Sequence, residues 1–181
     1  STSITLNWSA NGNSSTTRYV AKISSDGFAS ALSSVTTTSS SATFSGLIPN
    51  TVYFSSVQAL GNNSTATSFV GLPTTTTYLI APGTNTVTFT AVNTASITVT
   101  WSSGGNGAGI FYVARLSTGA LPNSFSGNLS SETLNTSAIF GNSGLGADLA
   151  QNSTFYFQVF SSAGVNTSTY VSLGSTFTLT T

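Results

Sequence analysis

The sequence predicts an all-β protein made of two tandem antiparallel β-sandwiches. Two segments recur at one offset of 93 residues (112 − 19): ITLNW at 4–8 returns as ITVTW at 97–101, and YVAKIS at 19–24 returns as YVARLS at 112–117. Apolar and polar residues alternate within these segments, which is typical of half-buried strands. Turn-rich stretches separate them, and no helical period is sustained. A duplicated set of short alternating strands indicates two sandwiches.

The duplication also predicts the domain boundaries. LIPNTVY at 47–53 matches LAQNSTF at 149–155 at an offset of 102 (149 − 47), so the second copy has an enlarged loop between its matched segments. We therefore predict one domain at 1–76, a linker at 77–82 and a second domain at 83–181. A connection this short favours a stiff arrangement of the two domains.

The strand YVAKIS has a phase that its charged residue sets. Lys22 must face water, so Arg18 also points outward, whereas Tyr19 and Ile23 point into the core. Arg115 imposes the same phase on the second copy. These outward cations are predicted to cover apolar surface and discourage unwanted edge pairing, and thus to mark a face instead of a binding site.

The strand motifs resemble those of fibronectin type III domains over nearly the whole chain. The matching features are a Trp ending the second strand, Y-x-A-x-I in the third, and L-x-P-N-T-x-Y before the sixth. The resemblance implies that Leu47 plugs the core and that the Tyr53 hydroxyl is bonded back to the chain. Including the equivalent positions of the second copy, the predicted core residues are Trp8, Tyr19, Leu47, Tyr53, Trp101, Tyr112, Leu149 and Phe155.

The second copy departs from this pattern because Phe155 occupies the Tyr position and has no hydroxyl. Tyr156 would serve only if the strand slipped by one residue and exchanged its faces. We expect the unslipped strand, with Phe155, Phe157 and Val159 inward. The corner bond of the second domain is therefore in question.

The first domain is predicted to lack its N-terminal edge strand. TVTFTAV at 86–92 opens the second copy, whereas the first copy begins directly at SITLNW, 3–8. An empty position would expose unpaired backbone groups, which folded proteins avoid. The sequence leaves three explanations: the chain is a piece of a longer product, a neighbouring subunit donates a strand, or the domain is degenerate. The alternating stretch STFTLTT at 175–181 is the candidate donor.

Charge and composition restrict the function. Six charged residues give a net charge of zero, so neither nucleic acid nor an anionic membrane is an expected partner. The chain contains no Cys, Met or His, which argues against disulfides, thiolate chemistry and most transition-metal sites. No apolar run approaches the roughly 18 residues of a spanning helix, so direct membrane insertion of this segment is not expected. The missing initiator Met and signal segment suggest a mature or excised piece of a longer product.

The acidic residues do not predict an active site. Asp26 follows a strand, Glu132 is expected in the enlarged loop, and Asp148 precedes Leu149. Glu132 and Asp148 form a conceivable carboxylate pair, but solvated loop carboxylates are the preferred interpretation. Without a histidine base, the abundant serines do not indicate a hydrolase. We expect no catalytic residue, no metal site and no cofactor.

Eight Asn-x-Ser/Thr motifs make glycosylation conceivable. Attached sugar would supply hydration that the few charges cannot. The favoured positions lie before the last strand of each copy or in other loops: Asn62, Asn63, Asn166, Asn13 and Asn128.

Two functional hypotheses remain. The first is an extracellular structural protein, a repeat of a surface filament, stalk or layer that contacts further copies of itself, with Val20, Phe111 and Val113 as an outward apolar patch. The second is a spacer or carbohydrate-binding accessory module of a secreted enzyme or adhesin. For the second, the aromatic candidates do not form an obvious stripe: they are Phe28, Phe69, Phe125 and Tyr170.

Overall fold

The structure is a computed structural model that divides into two compact units, Ser1–Tyr78 and Leu79–Thr181. It describes residues 2–30, 33–61, 63, 65–120, 129–142, 144 and 146–181. Throughout these ranges the regular elements are β-strands, and no helix in them is long and apolar enough to cross a membrane. The prediction of an all-β chain is confirmed.

Unit 1 consists of two sheets. Its strands are β1 (Ile4–Asn7), β2 (Arg18–Ser24), β3 (Ser33–Thr37), β4 (Ser41–Phe44), β5 (Val52–Leu60) and β6 (Val70–Thr76). β1 pairs with β4 in a two-stranded sheet, and the second sheet has the order β3-β2-β5-β6, with antiparallel pairing throughout.

Unit 2 repeats this plan with two more strands, β7 (Gly83–Val92) and the two-residue β13 (Asn166–Thr167). Its other strands are β8 (Ser96–Ser102), β9 (Phe111–Ser117), β10 (Ser130–Thr133), β11 (Ser137–Gly141), β12 (Thr154–Ala163) and β14 (Val171–Phe177). One sheet has the order β11-β8-β7. The other has the order β10-β9-β12-β13, and β14 also pairs with β12. β7 has no counterpart beside β1 among residues 2–30 and 33–61, as predicted.

The predicted phase of the repeated strand is confirmed in both units. In β2, Tyr19 and Ile23 are buried, whereas Arg18 is exposed and Lys22 is half-buried. The strand β9 has the same burial pattern, with Arg115 in the half-buried outward position. Period-two alternation with a long cationic side chain was therefore sufficient to assign the faces.

Each unit has its own hydrophobic core, and the core of unit 2 is larger. In unit 2, Phe157 makes edge-on ring contacts with Phe89 at 5.3 Å and with Phe140 at 5.7 Å between centroids. Phe89 belongs to β7, one of the added strands. At the offset of 102, the position of Phe157 corresponds to Ser55 in unit 1, which is also buried. The missing strand and the smaller side chain therefore occur together.

Two expectations about particular segments are wrong. Ser175–Phe177, within the proposed donor stretch, already belongs to β14, where its residues pair with Thr154–Tyr156 of β12. These residues complete their own sheet and are not a free strand. Glu132 was expected in a loop, but it lies in β10 with Val113 as its cross-strand partner. β10 contains only polar residues, Ser130–Thr133, so its sequence shows no apolar–polar alternation from which a strand could be predicted.

Candidate functional site

The structure places the predicted core residues at or beside the two cores. Trp8 and Leu47 are half-buried and pack against the core of unit 1. The other six side chains are buried, namely Tyr19, Tyr53, Trp101, Tyr112, Leu149 and Phe155. These residues build the scaffold on which any surface site must stand.

A tryptophan–tyrosine pair recurs in the two units. The ring centroids of Trp8 and Tyr19 lie 5.7 Å apart, and those of Trp101 and Tyr112 lie 6.1 Å apart. The Tyr112 hydroxyl donates a hydrogen bond to the Ser103 carbonyl at 3.2 Å. Burial raises the pKa of Tyr112, and its side-chain hydrogen bonds lower it in part. The phenol therefore remains protonated at neutral pH and is available as a donor.

The tyrosine corner is present in unit 1. The Tyr53 hydroxyl accepts a hydrogen bond from the backbone N–H of Ile48 at 3.0 Å. In unit 2, Phe155 is buried and Tyr156 is only half-buried, so the strand keeps the unslipped register and this hydroxyl is missing. Unit 2 must hold the corresponding loop by other bonds.

A buried threonine provides a second tie to the same loop in unit 1. Thr77 is only 2% exposed, and its hydroxyl donates to the Ile48 carbonyl at 2.6 Å. The same oxygen accepts a bond from the Thr51 backbone N–H at 3.0 Å. Thr77 follows β6, so it joins the end of the last strand to the loop before β5.

Unit 2 repeats this arrangement at Thr178, which is fully buried. Its hydroxyl donates to the Ala150 carbonyl at 2.6 Å and accepts from the Ser153 N–H at 3.1 Å. We call Thr77 and Thr178 the exit threonines. They maintain the loop connection in both units, including the one where Phe155 lacks a hydroxyl. The sequence does not single them out, because threonine in a strand-rich segment is ordinarily an exposed residue.

The outward cation of each unit lies against an aromatic ring. The Lys22 Nζ atom is 4.0 Å from the centroid of the Phe69 ring. In unit 2, the Arg115 Cζ atom is 5.2 Å from the Phe160 centroid and 5.3 Å from that of Tyr170, and Arg115 Nη1 donates to the Tyr170 hydroxyl at 3.0 Å. Such cation–π contacts stabilise exposed sites by about 0.5–1 kcal/mol.

These ring contacts give the cations of the repeated strand a structural role in both units. Phe69 and Tyr170 occupy matching positions, at an offset of 101 (170 − 69), immediately before β6 in unit 1 and β14 in unit 2. The cation of β2 or β9 thus reaches across its sheet to the start of the last strand. The contact between Lys22 and Phe69 was not predictable from the sequence, because they are 47 residues apart (69 − 22) and no motif links them.

The contact in unit 1 opens into a groove. A cavity of about 350 Å³ is lined by Lys22, Phe28, Ser56, Phe69 and Gly71. Both rings are accessible, with Phe28 39% and Phe69 38% exposed. Two of the aromatic candidates therefore line one groove, although they are far apart in sequence. Of the other two, Tyr170 lies over Arg115, and Phe125 is outside the described residues.

The turn after β2 holds Phe28 at the groove in an unusual backbone conformation. Phe28 has φ of 69°, a left-handed value that bulky residues rarely adopt. Its N–H donates to the buried Ser24 hydroxyl at 3.0 Å. The carboxylate of Asp26 accepts from the N–H groups of Ala29 at 3.1 Å and Ser30 at 2.8 Å. Asp26 therefore acts as the structural centre of this turn.

The other two side-chain carboxylates of the chain are both exposed. Asp148 accepts a bond from the Asn142 N–H at 3.0 Å and is exposed. Glu132 is also exposed, on β10. Within the described part of the chain, no group of three or more His, Cys, Asp or Glu side chains is placed to hold a metal ion.

The candidate glycosylation residues occupy several surroundings. Asn13 and Asn63 are exposed, and the Asn63 side-chain oxygen accepts a bond from the Thr65 hydroxyl at 2.7 Å within its own Asn-Ser-Thr motif. Asn166 is half-buried in β13, where it faces Ala163. Asn62 and Asn128 lie outside the described residues.

The predicted apolar patch is only partly accessible. Phe111 is 41% exposed, whereas Val20 and Val113 are half-buried on the outward faces of their strands. Val20 and Val113 belong to different units, and each is already covered in part within its own sheet. The patch is thus weaker than the groove as a candidate contact surface.

Comparison with known proteins gives the family of residues 1–79 and the fold of the whole chain. Residues 1–79 match the family model "Fibronectin type III domain". A solved two-domain fibronectin type III segment from chicken tenascin is 19% identical, covering 98% of this chain and 93% of that one, with a TM-score of 0.67. The FN1–FN3 domains of chicken CNTN1 are 14% identical, covering 99% of this chain and 63% of that one, with a TM-score of 0.40. No curated protein matches the sequence.

The family match and the tenascin likeness agree with the strand order and the tyrosine corner. Unit 1 carries the family's sequence features, and unit 2 repeats the same plan with the additional strands β7 and β13. Residues 1–79 therefore belong to the fibronectin type III domains, and the chain as a whole has the fold of two such domains in tandem.

Proposed function

We propose that this chain is a non-enzymatic extracellular structural protein, a segment of a surface filament, stalk or layer in which neighbouring copies join through strand pairing. Fibronectin type III domains are typically extracellular structural or adhesion modules and form a non-catalytic family. The finer proposal concerns assembly, and it rests on one observation: in the described part of the chain, β1 pairs with β4 alone.

The strand β1 supports the proposal because no second strand pairs with it among the residues that the structure describes. It pairs with β4 on one side, and in unit 2 the strand that corresponds to β1 pairs with β7 on its other side. Ile4 and Leu6 are nevertheless buried, so the sheet face is formed without a third strand. Backbone groups along a free edge are a template for strand addition. A strand from another copy would extend this sheet.

The low charge favours such assembly. With six charged residues and a net charge of zero, identical copies have little mutual repulsion to overcome. Because β14 uses Ser175–Phe177 for its own pairing, the donated strand must come from another segment. Glycans on exposed asparagines such as Asn13 and Asn63 are compatible with an assembly that leaves those loops free.

A pair of lysine substitutions tests the assembly. Thr5 and Thr43 face each other across β1 and β4, and their hydroxyls are 2.9 Å apart. Either Thr5→Lys or Thr43→Lys removes this hydroxyl pair, but only Thr5→Lys places a cation on β1, where it discourages edge pairing. Thr43→Lys is therefore the matched control.

Analytical ultracentrifugation over a concentration series, with electron microscopy of the same samples, is the measurement. The wild-type chain and Thr43→Lys are expected to associate with rising concentration, while Thr5→Lys remains monomeric. A wild-type chain that stays monomeric at all concentrations, or equal association of both variants, contradicts the proposal.

A further inference from the structure

We propose that the groove between Phe28 and Phe69 in unit 1 is a binding site for a neutral saccharide. Its walls are two exposed aromatic rings, and its polar groups are the Lys22 ammonium and the Ser56 hydroxyl. A sugar ring presents an apolar face of C–H groups and a periphery of hydroxyls. The apolar face can pack against the aromatic rings, and the hydroxyl groups can form hydrogen bonds with the few polar groups of the groove.

The shape and lining of the groove fit a small ligand. Its volume, about 350 Å³, lies at the lower end of the range for ligand pockets, which combine apolar walls with a few polar groups. The Lys22 ammonium has three donors and no acceptor, so it selects for ligand oxygens. Ser56 is 7% exposed and lines the same groove, where its hydroxyl can donate or accept.

The charge of the groove argues against other ligand classes. The Lys22 ammonium lines the groove and repels a cationic ligand. A strongly anionic ligand would find one cation, already engaged with a ring, in a chain with no net charge. A neutral ligand rich in hydroxyl groups fits both constraints.

The backbone at Phe28 indicates that its ring is held in place at some cost. A residue with φ of 69° is ordinarily glycine, because a side chain is strained there. The turn keeps Phe28 in this conformation through the bond from its N–H to Ser24 and through the bonds that Asp26 accepts from Ala29 and Ser30. Phe28 is nevertheless outside the core of unit 1 and remains 39% exposed. Ligand contact accounts for a large aromatic ring at this position.

Two substitutions separate binding from folding. Phe28→Gly removes one wall while placing at this φ the residue that adopts it most easily, so the fold is expected to be retained or stabilised. Gly71→Val fills the groove from β6, because a Cβ atom at Gly71 meets nothing within 4 Å and the backbone there is not left-handed. Gly107→Val is the control, since Gly107 is equally open but lies in unit 2.

The experiment is NMR titration of the ¹⁵N-labelled chain with cellotetraose, maltotetraose and chitotetraose, each up to millimolar concentration. We expect at least one saccharide to shift the amides of Lys22, Phe28, Phe69 and Gly71. Phe28→Gly and Gly71→Val should weaken that binding about tenfold or more, which corresponds to the loss of one good contact. Gly107→Val should bind as the wild type does.

Three outcomes would overturn the proposal. They are the absence of shifts with all three saccharides, shifts that map elsewhere on the chain, or unchanged affinity in both groove variants. Circular dichroism and thermal unfolding of each variant show whether a loss of binding has a structural cause. If Phe28→Gly remains folded and loses binding while Gly71→Val is unfolded, the proposal still stands on the first variant.

Discussion

At the residue scale, the exit threonines form more hydrogen bonds to the loop before β5 or β12 than the tyrosine corner does. Tyr53 supplies one bond to the Ile48 N–H, and only in unit 1. Thr77 and Thr178 each bond both a carbonyl and an N–H of the loop, and they do so in both units. The loss of the corner hydroxyl at Phe155 is therefore tolerated because a neighbouring side chain already satisfies this loop.

Replacement of Thr178 by valine tests this interpretation. Thr178→Val keeps the shape but removes the hydroxyl, which leaves the Ala150 carbonyl and the Ser153 N–H without this buried partner. We expect the free energy of unfolding of unit 2 to fall by about 1–3 kcal/mol. Urea denaturation in a Trp8→Phe background, where Trp101 is the remaining tryptophan, reports on unit 2 alone.

Thr180→Val is the control for this prediction because the Thr180 side chain is exposed. It should change the unfolding free energy by no more than about 0.5 kcal/mol. Equal effects of Thr178→Val and Thr180→Val would show that the buried hydroxyl does not stabilise the loop.

At the element scale, the last strand of each unit changes register part of the way along. The pairing of β6 shifts between Tyr53 and Ser55, and β6 contains Pro73 in this region. The pairing of β14 shifts between Phe157 and Gln158, next to Gly174. Proline and glycine both occur at β-bulges. The register shift is therefore accommodated by a proline in unit 1 and by a glycine in unit 2.

The conformation of Gly174 gives a second prediction. Its φ is 89°, and a Cβ atom added there meets nothing within 4 Å, so a substitution tests backbone strain without a steric clash. We expect Gly174→Ala to destabilise unit 2 by about 1–2 kcal/mol, measured by the same tryptophan fluorescence assay.

Gly107→Ala is the matched substitution, because Gly107 is equally open but is not left-handed. It is expected to leave stability nearly unchanged or slightly raised. If both alanine variants unfold at the same urea concentration, the bulge does not depend on glycine.

The strands themselves were largely predictable from sequence, and their irregular ends were not. Alternation and one charged residue fixed the faces of β2, and the recurring asparagines at Asn50 and Asn152, both at φ of 49°, mark the same turn in the two units. The groove was not predictable because Phe28 and Phe69 meet only through the fold. The conformation of Phe28 contradicts its residue preference, and Glu132 lies in a strand too short and polar to show alternation.

At the scale of the whole molecule, the two units have unequal cores. Unit 2 buries Phe89, Phe140 and Phe157 in mutual contact, whereas unit 1 has Ser55 at the position corresponding to Phe157 and has no counterpart to β7 in its described part. Each large buried side chain contributes about 1.5–3 kcal/mol. Unit 1 is therefore expected to be the less stable unit.

Native-state hydrogen exchange measured by NMR checks this prediction. The slowest amides of β2 and β5 are expected to exchange with an opening free energy lower by at least about 1 kcal/mol than the slowest amides of β9 and β12. The comparison is made at a concentration where the chain is monomeric, because a strand bound to β1 would protect unit 1. Equal protection in the two units would contradict the prediction.

The exit threonines also have a mechanical consequence. Each lies just beyond the last strand of its unit, at Thr77 after β6 and at Thr178 after β14. If the chain is pulled from both ends, tension enters unit 1 through the residues that follow β6 and reaches the hydroxyl bonds of Thr77 before it reaches the ladder between β5 and β6. The resistance of a stretched domain would then begin at a single buried hydroxyl group.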